Sequence, residues 1–398
     1  MSAATLTFAR SGTRSRRFTF DAPLTLAVAG LLLFGLIMVT SASITVAAND
    51  FGDPFYYLKR QVIAIVLGGA AATVMCMFPT ALWQRLAFPL LIVAFALLAI
   101  VLIPGVGHQV NGSRRWLPTG LMYFQVSELA RVLLLMYLAS YIVRRQDELR
   151  ESVQGVVKPL AVLGVAAALL LLEPDLGAAA VMLATGMGIL FLAGVKLRHF
   201  LGIAAVAIAL LALLAIVSPY RLARVTNFAN PFDDPFGKGF QLVQSLIAIG
   251  RGEWFGVGLG SSVQKLFYLP EAHTDFVFAV LAEELGLVGV IAMLALVAVV
   301  VARALHISRL AAVAGLSYQA FVAASFGIWL ALQTIVNVGV NMGLLPTKGL
   351  TLPFLSSGGS SMLVTLGWLG LVMRIHHESS LSGRTAIPRA ASIKERDA

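Results

Sequence analysis

The sequence contains little charge and a single cysteine. Only 12% of its 398 residues are charged, whereas 59% are hydrophobic and the mean hydropathy is +0.89. Soluble domains carry about 25% charged residues, so this composition excludes an ordinary soluble protein. With Cys76 alone, neither a disulfide nor a cysteine-based metal site can form within one chain. The sequence therefore predicts an all-α polytopic membrane protein.

Several functional signals are missing as well. There is no internal repeat and no metal-ligand spacing, and the glycine-bearing segments 250–260 and 343–361 lack the strand and helix context of a nucleotide-binding loop. The net charge is +10, but basic and aromatic residues do not interleave, so nucleic acid is not predicted as a partner. No cofactor is assigned from the sequence, and a divalent cation is left open.

Apolar segments of nearly the length that crosses a bilayer, about 20 residues, recur along the chain. They cover residues 22–46, 58–78, 86–103, 125–143, 157–172, 176–195, 199–217, 276–302, 314–340 and 358–374. These ten segments place both termini on the same side. Basic residues accumulate on that side, beginning with Arg10, Arg14, Arg16 and Arg17. The positive-inside rule then predicts cytoplasmic termini and contacts with anionic membrane lipids.

One membrane domain is the simplest organisation. We predict a basic cytoplasmic tail at 1–21, a transmembrane domain at 22–376 and a second cytoplasmic tail at 377–398. The outer loop 218–275 is the largest, and because structureless loops of that length are uncommon, we expect it to contain helices and a functional surface. Its apolar stretch 239–250 suits an interfacial or re-entrant helix and is too short to span the membrane.

The segment 271–284, EAHTDFVFAVLAEE, concentrates ionisable groups at the start of an apolar helix. Burying one charge in a membrane costs about 2.5–3.5 kcal/mol on insertion scales, so such groups need a reason. Asp275 directly precedes the apolar run. It either caps the helix together with Thr274 or serves as a general base that is partly shielded from water. The density of ionisable groups nearby favours a base, because a cap needs only one side chain.

Glu283 and Glu284 lie deeper along the same predicted helix. They fall on different faces, so at most one shares a face with Asp275, and Glu283 is the nearer. For Glu283 both a structural ion pair and a direct catalytic role stay open.

Polar residues also occur inside two other predicted spans. Glu128 and Arg131 are spaced i, i+3 and can neutralise each other. Alternatively, Arg131 pairs with Glu283 or Glu284 or contacts an anionic substrate. We expect these four residues to lie together.

The ninth span carries a polar stripe, and the outer loops carry cations. Gln333, Asn337 and Asn341 are spaced i, i+4, i+8 and either hydrogen-bond between helices or line a cavity. The outer-loop cations either reach lipid head groups or hold phosphate. They are Arg114, Arg115, Arg221, Arg224, Arg251 and Lys348.

Five motifs in order resemble the shape, elongation, division and sporulation family, the FtsW and RodA proteins. They are VNGSRRW at 110–116, QVSELAR at 125–131, EPDLG at 173–177, YLPEAHTDFVFAVLAEELG at 268–286 and GLLPTKGLTLPFLSSGGSS at 343–361. PEAHTDF with PTKGLTLPF resembles the division branch more than the elongation branch. Val126 stands where the family usually has proline, and Ser357 where it usually has tyrosine. Both departures concern loop geometry and leave Asp275 untouched.

The resemblance implies a peptidoglycan glycosyltransferase that polymerises lipid II at the outer face of the bacterial inner membrane, at the division septum. It implies a growing undecaprenyl-linked glycan strand as a second substrate. A class B penicillin-binding protein and other division membrane proteins are the implied partners. The family's catalytic aspartate falls on Asp275, and Glu128, Arg131 and Lys348 match further motif positions.

Taken together, Asp275 is the candidate base that removes a proton from the acceptor sugar's 4-hydroxyl group, in a single displacement with inversion. The candidate substrate-binding or supporting residues are Arg115, Glu128, Arg131, Arg224, Arg251, His273, Glu283 and Lys348. A lipid II flippase and a scaffold for the penicillin-binding protein are the alternative functions.

Overall fold

The computed structural model describes residues 18–110, 112–120, 123–217, 230–237, 239–346 and 349–386. Its helices are α1 Ala22–Phe51, α2 Tyr56–Met77, α3 Thr80–Arg85, α4 Ala87–Leu102, α5 Val126–Arg144, α6 Gln146–Glu151, α7 Val153–Leu172, α8 Leu176–Leu192, α9 Leu197–Val217, α10 Phe240–Gly252, α11 Val277–Val313, α12 Ser317–Asn341 and α13 Gly359–Ala386. A short 3-10 helix covers Pro231–Asp233.

Each predicted apolar segment overlaps one of these helices. Among the described residues, α1, α2, α5, α7, α11 and α12 are long and apolar enough to cross a membrane. Shorter apolar helices occur at Ala87–Leu102, Leu176–Leu192 and Leu197–Val206. The helical membrane architecture predicted from the sequence is confirmed.

Helix α5 lies at the centre of the bundle. In its most apolar 18-residue window, 83% of the residues are buried inside the protein, compared with 22% for the corresponding window of α11. Helix α5 packs against α4, α12 and α8, whereas α11 packs against α1, α10 and α12. Polar residues on α5 therefore face other protein groups rather than lipid.

A small antiparallel sheet connects α4 to α5. Its strands are β1 His108–Val110, β2 Ser113–Pro118 and β3 Tyr123–Gln125, in the order β1-β2-β3. Trp116 pairs with His108 on one side and with Gln125 on the other. No strand is predicted here from the sequence, because strands this short show no clear alternation.

The loop before α11 crosses that helix at a break. Gly286 has φ 62° and ψ −164°, a conformation that is essentially restricted to glycine. The backbone N–H of Val257 donates to the Glu283 carbonyl at 2.9 Å, and that of Leu287 donates to the Glu253 carbonyl at 2.9 Å. A Cβ on Gly286 would lie 2.4 Å from the Gly256 nitrogen. Because Gly286 has no Cβ, the loop backbone at Gly256 can lie directly against α11 at this break.

The described parts of both predicted tails are ordered against the bundle. Helix α13 continues to Ala386, past the predicted boundary at 376. Thr19 contacts Nδ1 of His377 on α13, and Asp21 caps α1 and forms an ion pair with Arg303 on α11 at 2.5 Å. The start of the chain thus joins three helices at the end of the bundle that is predicted to be cytoplasmic.

Candidate functional site

Asp275 lies in a tight turn just before α11. The backbone N–H groups of Thr274 and Phe276 both donate to the Glu271 carbonyl, at 3.1 and 3.2 Å. The N-cap residue of α11 is Phe276, and no side chain caps the helix. The Thr274 hydroxyl is bound to Glu271 instead. The capping interpretation of Thr274 and Asp275 is therefore wrong.

The polar stripe of α12 holds the backbone at Asp275. The Asn337 and Asn341 amides each donate to the Asp275 carbonyl at 3.1 Å. Asn337 also donates to the Leu350 carbonyl at 2.6 Å, and Gln333 donates to the Thr351 carbonyl at 2.9 Å. The stripe therefore fixes Asp275 against the segment that follows residue 348.

The Asp275 carboxylate itself has no hydrogen-bond donor among the described residues. Its pKa is raised to about 7, chiefly by burial and also by Glu271 and Asp175, against the lowering effect of Arg115. Gly349 leaves room for the carboxylate, since a Cβ there would lie 3.0 Å from Oδ2. A carboxylate whose pKa lies near neutrality, and which has no donor in the described part of the chain, is suited to accept a proton from a bound substrate.

Two acidic residues of the EPDLG motif, Glu173 and Asp175, lie beside this site, although the sequence did not predict them as site residues. Asp175 caps α8 by accepting from the Ala178 N–H at 3.0 Å, and it also accepts from Ser127 and Gln125, each at 3.2 Å. Like Asp275, Asp175 directly precedes an apolar helix. This shared position, directly before an apolar helix, is the sequence signal that could have identified Asp175 as a site residue.

Glu173 is fully buried at the end of α7. Neither of its carboxylate oxygens has a hydrogen-bond partner in the described part of the chain. Burial raises its pKa to about 8, Asp175 adds to the shift and Arg115 opposes it. The raised pKa favours the protonated form of Glu173 near neutrality, which limits the negative charge beside Asp175.

Arg115 supplies the cation among these carboxylates. It lies on β2, and its guanidinium is 3.8 Å from the Asp175 carboxylate. One Arg115 nitrogen also lies 3.8 Å from the position that a Gly349 Cβ would occupy, on the side where Asp275 approaches. The predicted substrate-binding residue Arg115 is therefore part of the same cluster as Asp275.

Glu128 and Arg131 form the predicted i, i+3 ion pair, buried within α5. Arg131 also donates to the Gln333 side chain at 3.1 Å and stacks over the Trp329 ring at 4.6 Å. Since Gln333 binds the Thr351 carbonyl, the pair supports the polar stripe that holds Asp275.

Glu283 and Glu284 do not join Glu128 and Arg131, so that expectation is wrong. Glu283 forms an ion pair with Arg251 at 3.3 Å and accepts from the Val263 N–H at 3.1 Å. Glu284 pairs with Lys265 at 2.7 Å. The loop before α11 covers this turn of the helix and supplies Arg251, Val263 and Lys265 as partners. Helix α5 packs mainly against α4, α12 and α8 instead.

The remaining predicted residues have different surroundings. The Arg251 guanidinium donates to the Glu283 carboxylate at 3.3 Å. The His273 ring lies 4.2 Å from the Tyr57 ring, and burial lowers its pKa despite the opposing effect of Glu271. Arg224 and Lys348 lie outside the described residues. Among the residues that are described, no group of three or more His, Cys, Asp or Glu side chains is arranged to hold a metal ion.

An apolar cavity of about 270 Å³ lies next to the carboxylates, between α8 and α12. Gly177, Ala180, Val336 and Leu345 contribute to its lining. Gly177 follows Asp175 by two residues, and Leu350 packs against it. The cavity therefore brings apolar surface to within one helical turn of the charged cluster.

Comparison with known proteins gives one consistent family. The sequence profile of FtsW, RodA and SpoVE, described as a cell cycle protein family, matches residues 22–381. A probable peptidoglycan glycosyltransferase FtsW from Thioalkalivibrio sulfidiphilus (strain HL-EbGR7) is 54% identical over 369 residues, covering 93% of this chain and 92% of that protein.

Solved structures agree with that match. A chain of a peptidoglycan synthase complex that coordinates polymerization and crosslinking has a TM-score of 0.73 and 35% identity, covering 90% of this chain and 98% of its own. The rod shape determining protein RodA of Thermus thermophilus has a TM-score of 0.67 and 30% identity, covering 91% of this chain and 98% of its own. The chain therefore belongs to the FtsW, RodA and SpoVE family of cell cycle proteins.

Proposed function

We propose that this membrane protein is a peptidoglycan glycosyltransferase that polymerises lipid II during septal cell-wall synthesis. The observation that carries the proposal is the Asp275 carboxylate, which is partly buried, has a raised pKa and is free of donors among the described residues. Its backbone is fixed by Asn337 and Asn341. The names of the similar proteins, which include peptidoglycan glycosyltransferases, support the same activity.

The reaction needs a base and a cation. The Asp275 carboxylate takes the proton of the acceptor sugar's 4-hydroxyl group as that oxygen bonds to the donor's anomeric carbon. The bond from that carbon to the lipid pyrophosphate breaks, and the pyrophosphate leaves with the electron pair. Arg115 stabilises the leaving charge, with Lys348 and Arg224 as further candidates. One displacement inverts the anomeric carbon, so no covalent enzyme intermediate forms.

A single base supplies only part of the catalysis. A positioned general base contributes about 10²- to 10⁴-fold. Orientation of the two sugars and stabilisation of the pyrophosphate must supply the rest. The fixed backbone of Asp275 and its proximity to Arg115 serve these two needs.

The surroundings of the cluster suit lipid-linked substrates. The apolar cavity between α8 and α12 offers a place for the first part of a polyprenyl chain, with its head group at Arg115. We place the site on the outer face of the inner membrane, at the division septum. A class B penicillin-binding protein is the proposed partner, and the structural likeness to a peptidoglycan synthase complex supports it.

The test is polymerisation of lipid II by the purified protein with its partner in detergent. We expect glycan strands from the wild-type protein and a loss of about 10²-fold or more in the Asp275→Asn variant. Detergent has no leaflets, so a flippase would form no product there. An Asp275→Asn protein that is folded, bound to its partner and fully active would rule out the base. Wild-type protein without any polymerisation would favour the flippase or the scaffold.

A further inference from the structure

A second cavity lies on the other side of β2 from the Asp275 cluster. Its volume is about 550 Å³, within the range of about 300–1,000 Å³ that is usual for small-molecule sites. Tyr57, Gln61, Trp116, Tyr123, His273 and Ser357 contribute to its lining. We refer to it as the aromatic cleft.

The aromatic cleft and the Asp275 cluster share their walls. Successive side chains of a strand point to opposite faces, so on β2 Arg115 reaches Asp175 while Trp116 lines the cleft. His273 and Thr274 line the cleft, and the next residue is Asp275. A ligand that fills the cleft therefore ends beside the proposed base.

The rings of the cleft are held in place by other aromatic groups. Tyr57 lies 4.2 Å from the His273 ring and meets the Tyr56 ring edge-on at 5.4 Å. Tyr123 stacks on His108 at 4.7 Å. Fixed rings offer apolar faces to a ligand at little cost in side-chain entropy.

Polar groups of the cleft are left unused by the protein. Gln61 donates to the Ser356 carbonyl at 3.2 Å, but its own carbonyl oxygen has no partner among the described residues. Within the same part of the chain, the hydroxyl groups of Tyr57, Tyr123 and Ser357 make no hydrogen bond either. Among the described residues that line the cleft, Arg60 is the one Lys, Arg, Asp or Glu, and it is exposed and bound to the Tyr56 hydroxyl.

Flat apolar faces combined with uncharged hydrogen-bonding groups match a carbohydrate, whose rings carry C–H groups on their faces and hydroxyl groups at their edges. We propose that the aromatic cleft binds the hexosamine chain of the growing glycan strand and leads its end to Asp275. This inference rests on the proposed function, since only a polymerase of sugars presents such a chain. It assigns the sugars of the strand to the α2 and α13 side of the protein and the polyprenyl pyrophosphate to the α8 side.

The test is binding of chitotetraose, a soluble β-linked hexosamine chain, to the purified full-length protein in detergent, measured by calorimetry. We expect binding that is weaker for N-acetylglucosamine alone and absent for maltotetraose. Trp116→Ala and Tyr123→Ala should each weaken binding by about tenfold, the effect of losing one well-stacked ring. Tyr57→Phe, which keeps the ring, should weaken it less than Tyr57→Ala.

The control is Trp254→Ala, since Trp254 is 67% exposed and does not line the cleft. It should bind chitotetraose as the wild type does. Tyr123 is about half exposed, so its removal is not expected to unfold the protein. The proposal is overturned if wild-type protein binds no chitotetraose, if maltotetraose binds equally well, or if the Tyr57→Ala, Trp116→Ala and Tyr123→Ala variants all bind normally.

This experiment is independent of the proposed catalysis. Asp275→Asn should bind chitotetraose normally while it fails to polymerise lipid II. Normal polymerisation by Asp275→Asn would reject the base and leave the cleft standing. Normal sugar binding by the cleft variants would reject the cleft and leave the base standing.

Discussion

At the scale of single residues, the site keeps a carboxylate where it is expensive to ionise. Burial, together with Glu271 and Asp175, raises the pKa of Asp275 from 3.8 to about 7. Arg115 opposes it but lies close to Asp175 as well. The carboxylate is thereby a base whose pKa matches neutral pH, but its burial makes the folded protein less stable.

The burial of Asp275 leads to a prediction for the thermal stability of the folded protein. The pKa of Asp275 is higher in the folded than in the unfolded protein, so its contribution to stability is most favourable below the unfolded value of 3.8 and is lost as the pH rises toward 7. Asp275→Asn should therefore unfold at a higher temperature than wild type at about pH 8, and the difference should shrink toward about pH 5. Thermal unfolding in detergent measures both. A variant that is less stable at the higher pH would contradict the burial argument.

Sequence reasoning found Asp275 because charge clustered at the start of an apolar helix. It overlooked Asp175 and Glu173, since each occurs in a short turn between two apolar runs and resembles an ordinary helix boundary. It also placed Glu283 and Glu284 with Arg131. Their actual partners, Arg251 and Lys265, come from a loop whose path along α11 has no local sequence signal.

At the scale of elements, α12 is the support of the site. Its stripe of amides binds the backbone carbonyls of Asp275, Leu350 and Thr351. The spacing of Gln333, Asn337 and Asn341 predicted that one face of α12 is polar. Their binding partners could not be predicted, because the segment around Leu350 has no regular secondary structure.

This role of α12 predicts that Asn337→Leu impairs catalysis through position alone. Loss of the amide leaves the Leu350 carbonyl without its donor, which costs about 1–3 kcal/mol, and releases one of two contacts to the Asp275 carbonyl. We expect kcat to fall about 10- to 100-fold, because a small misplacement of a catalytic group is enough to cause such a loss. Lipid II polymerisation and thermal unfolding measure the two effects.

The matched control on the same helix is Thr334→Val. The Thr334 hydroxyl is buried and has no partner among the described residues, so an apolar group of the same shape should be tolerated. Equal losses of activity in Asn337→Leu and Thr334→Val would show that α12 responds to any change and not to the loss of the amide.

At the scale of the whole molecule, hydropathy located a helix in each of the ten apolar segments, because such a segment must satisfy its backbone within the membrane. It could not show that α5 is enclosed by protein while the most apolar part of α11 is only 22% buried. It also could not show the sheet before α5 or the docking of residues 18–21 on α11 and α13. These features depend on contacts between distant parts of the chain.

The orientation of the whole molecule is testable with single cysteines. In a Cys76→Ser background, Asn49→Cys in the last turn of α1 should react with a membrane-impermeant maleimide in intact spheroplasts. Glu151→Cys, at the opposite end of the bundle, should react only after permeabilisation. Both positions are exposed. The reverse pattern would invert the protein and place Asp275 on the cytoplasmic face.

The measurement that tests the central claim most directly is the pH dependence of kcat/KM for lipid II polymerisation, compared between wild type and Arg115→Gln. Activity of the wild type should rise through about pH 7 as Asp275 loses its proton. Because Arg115 lowers the pKa of Asp275, its removal should move this rise to higher pH. A wild-type profile without a rise near neutrality, or an unchanged rise in Arg115→Gln, would contradict the assignment of Asp275 as the base.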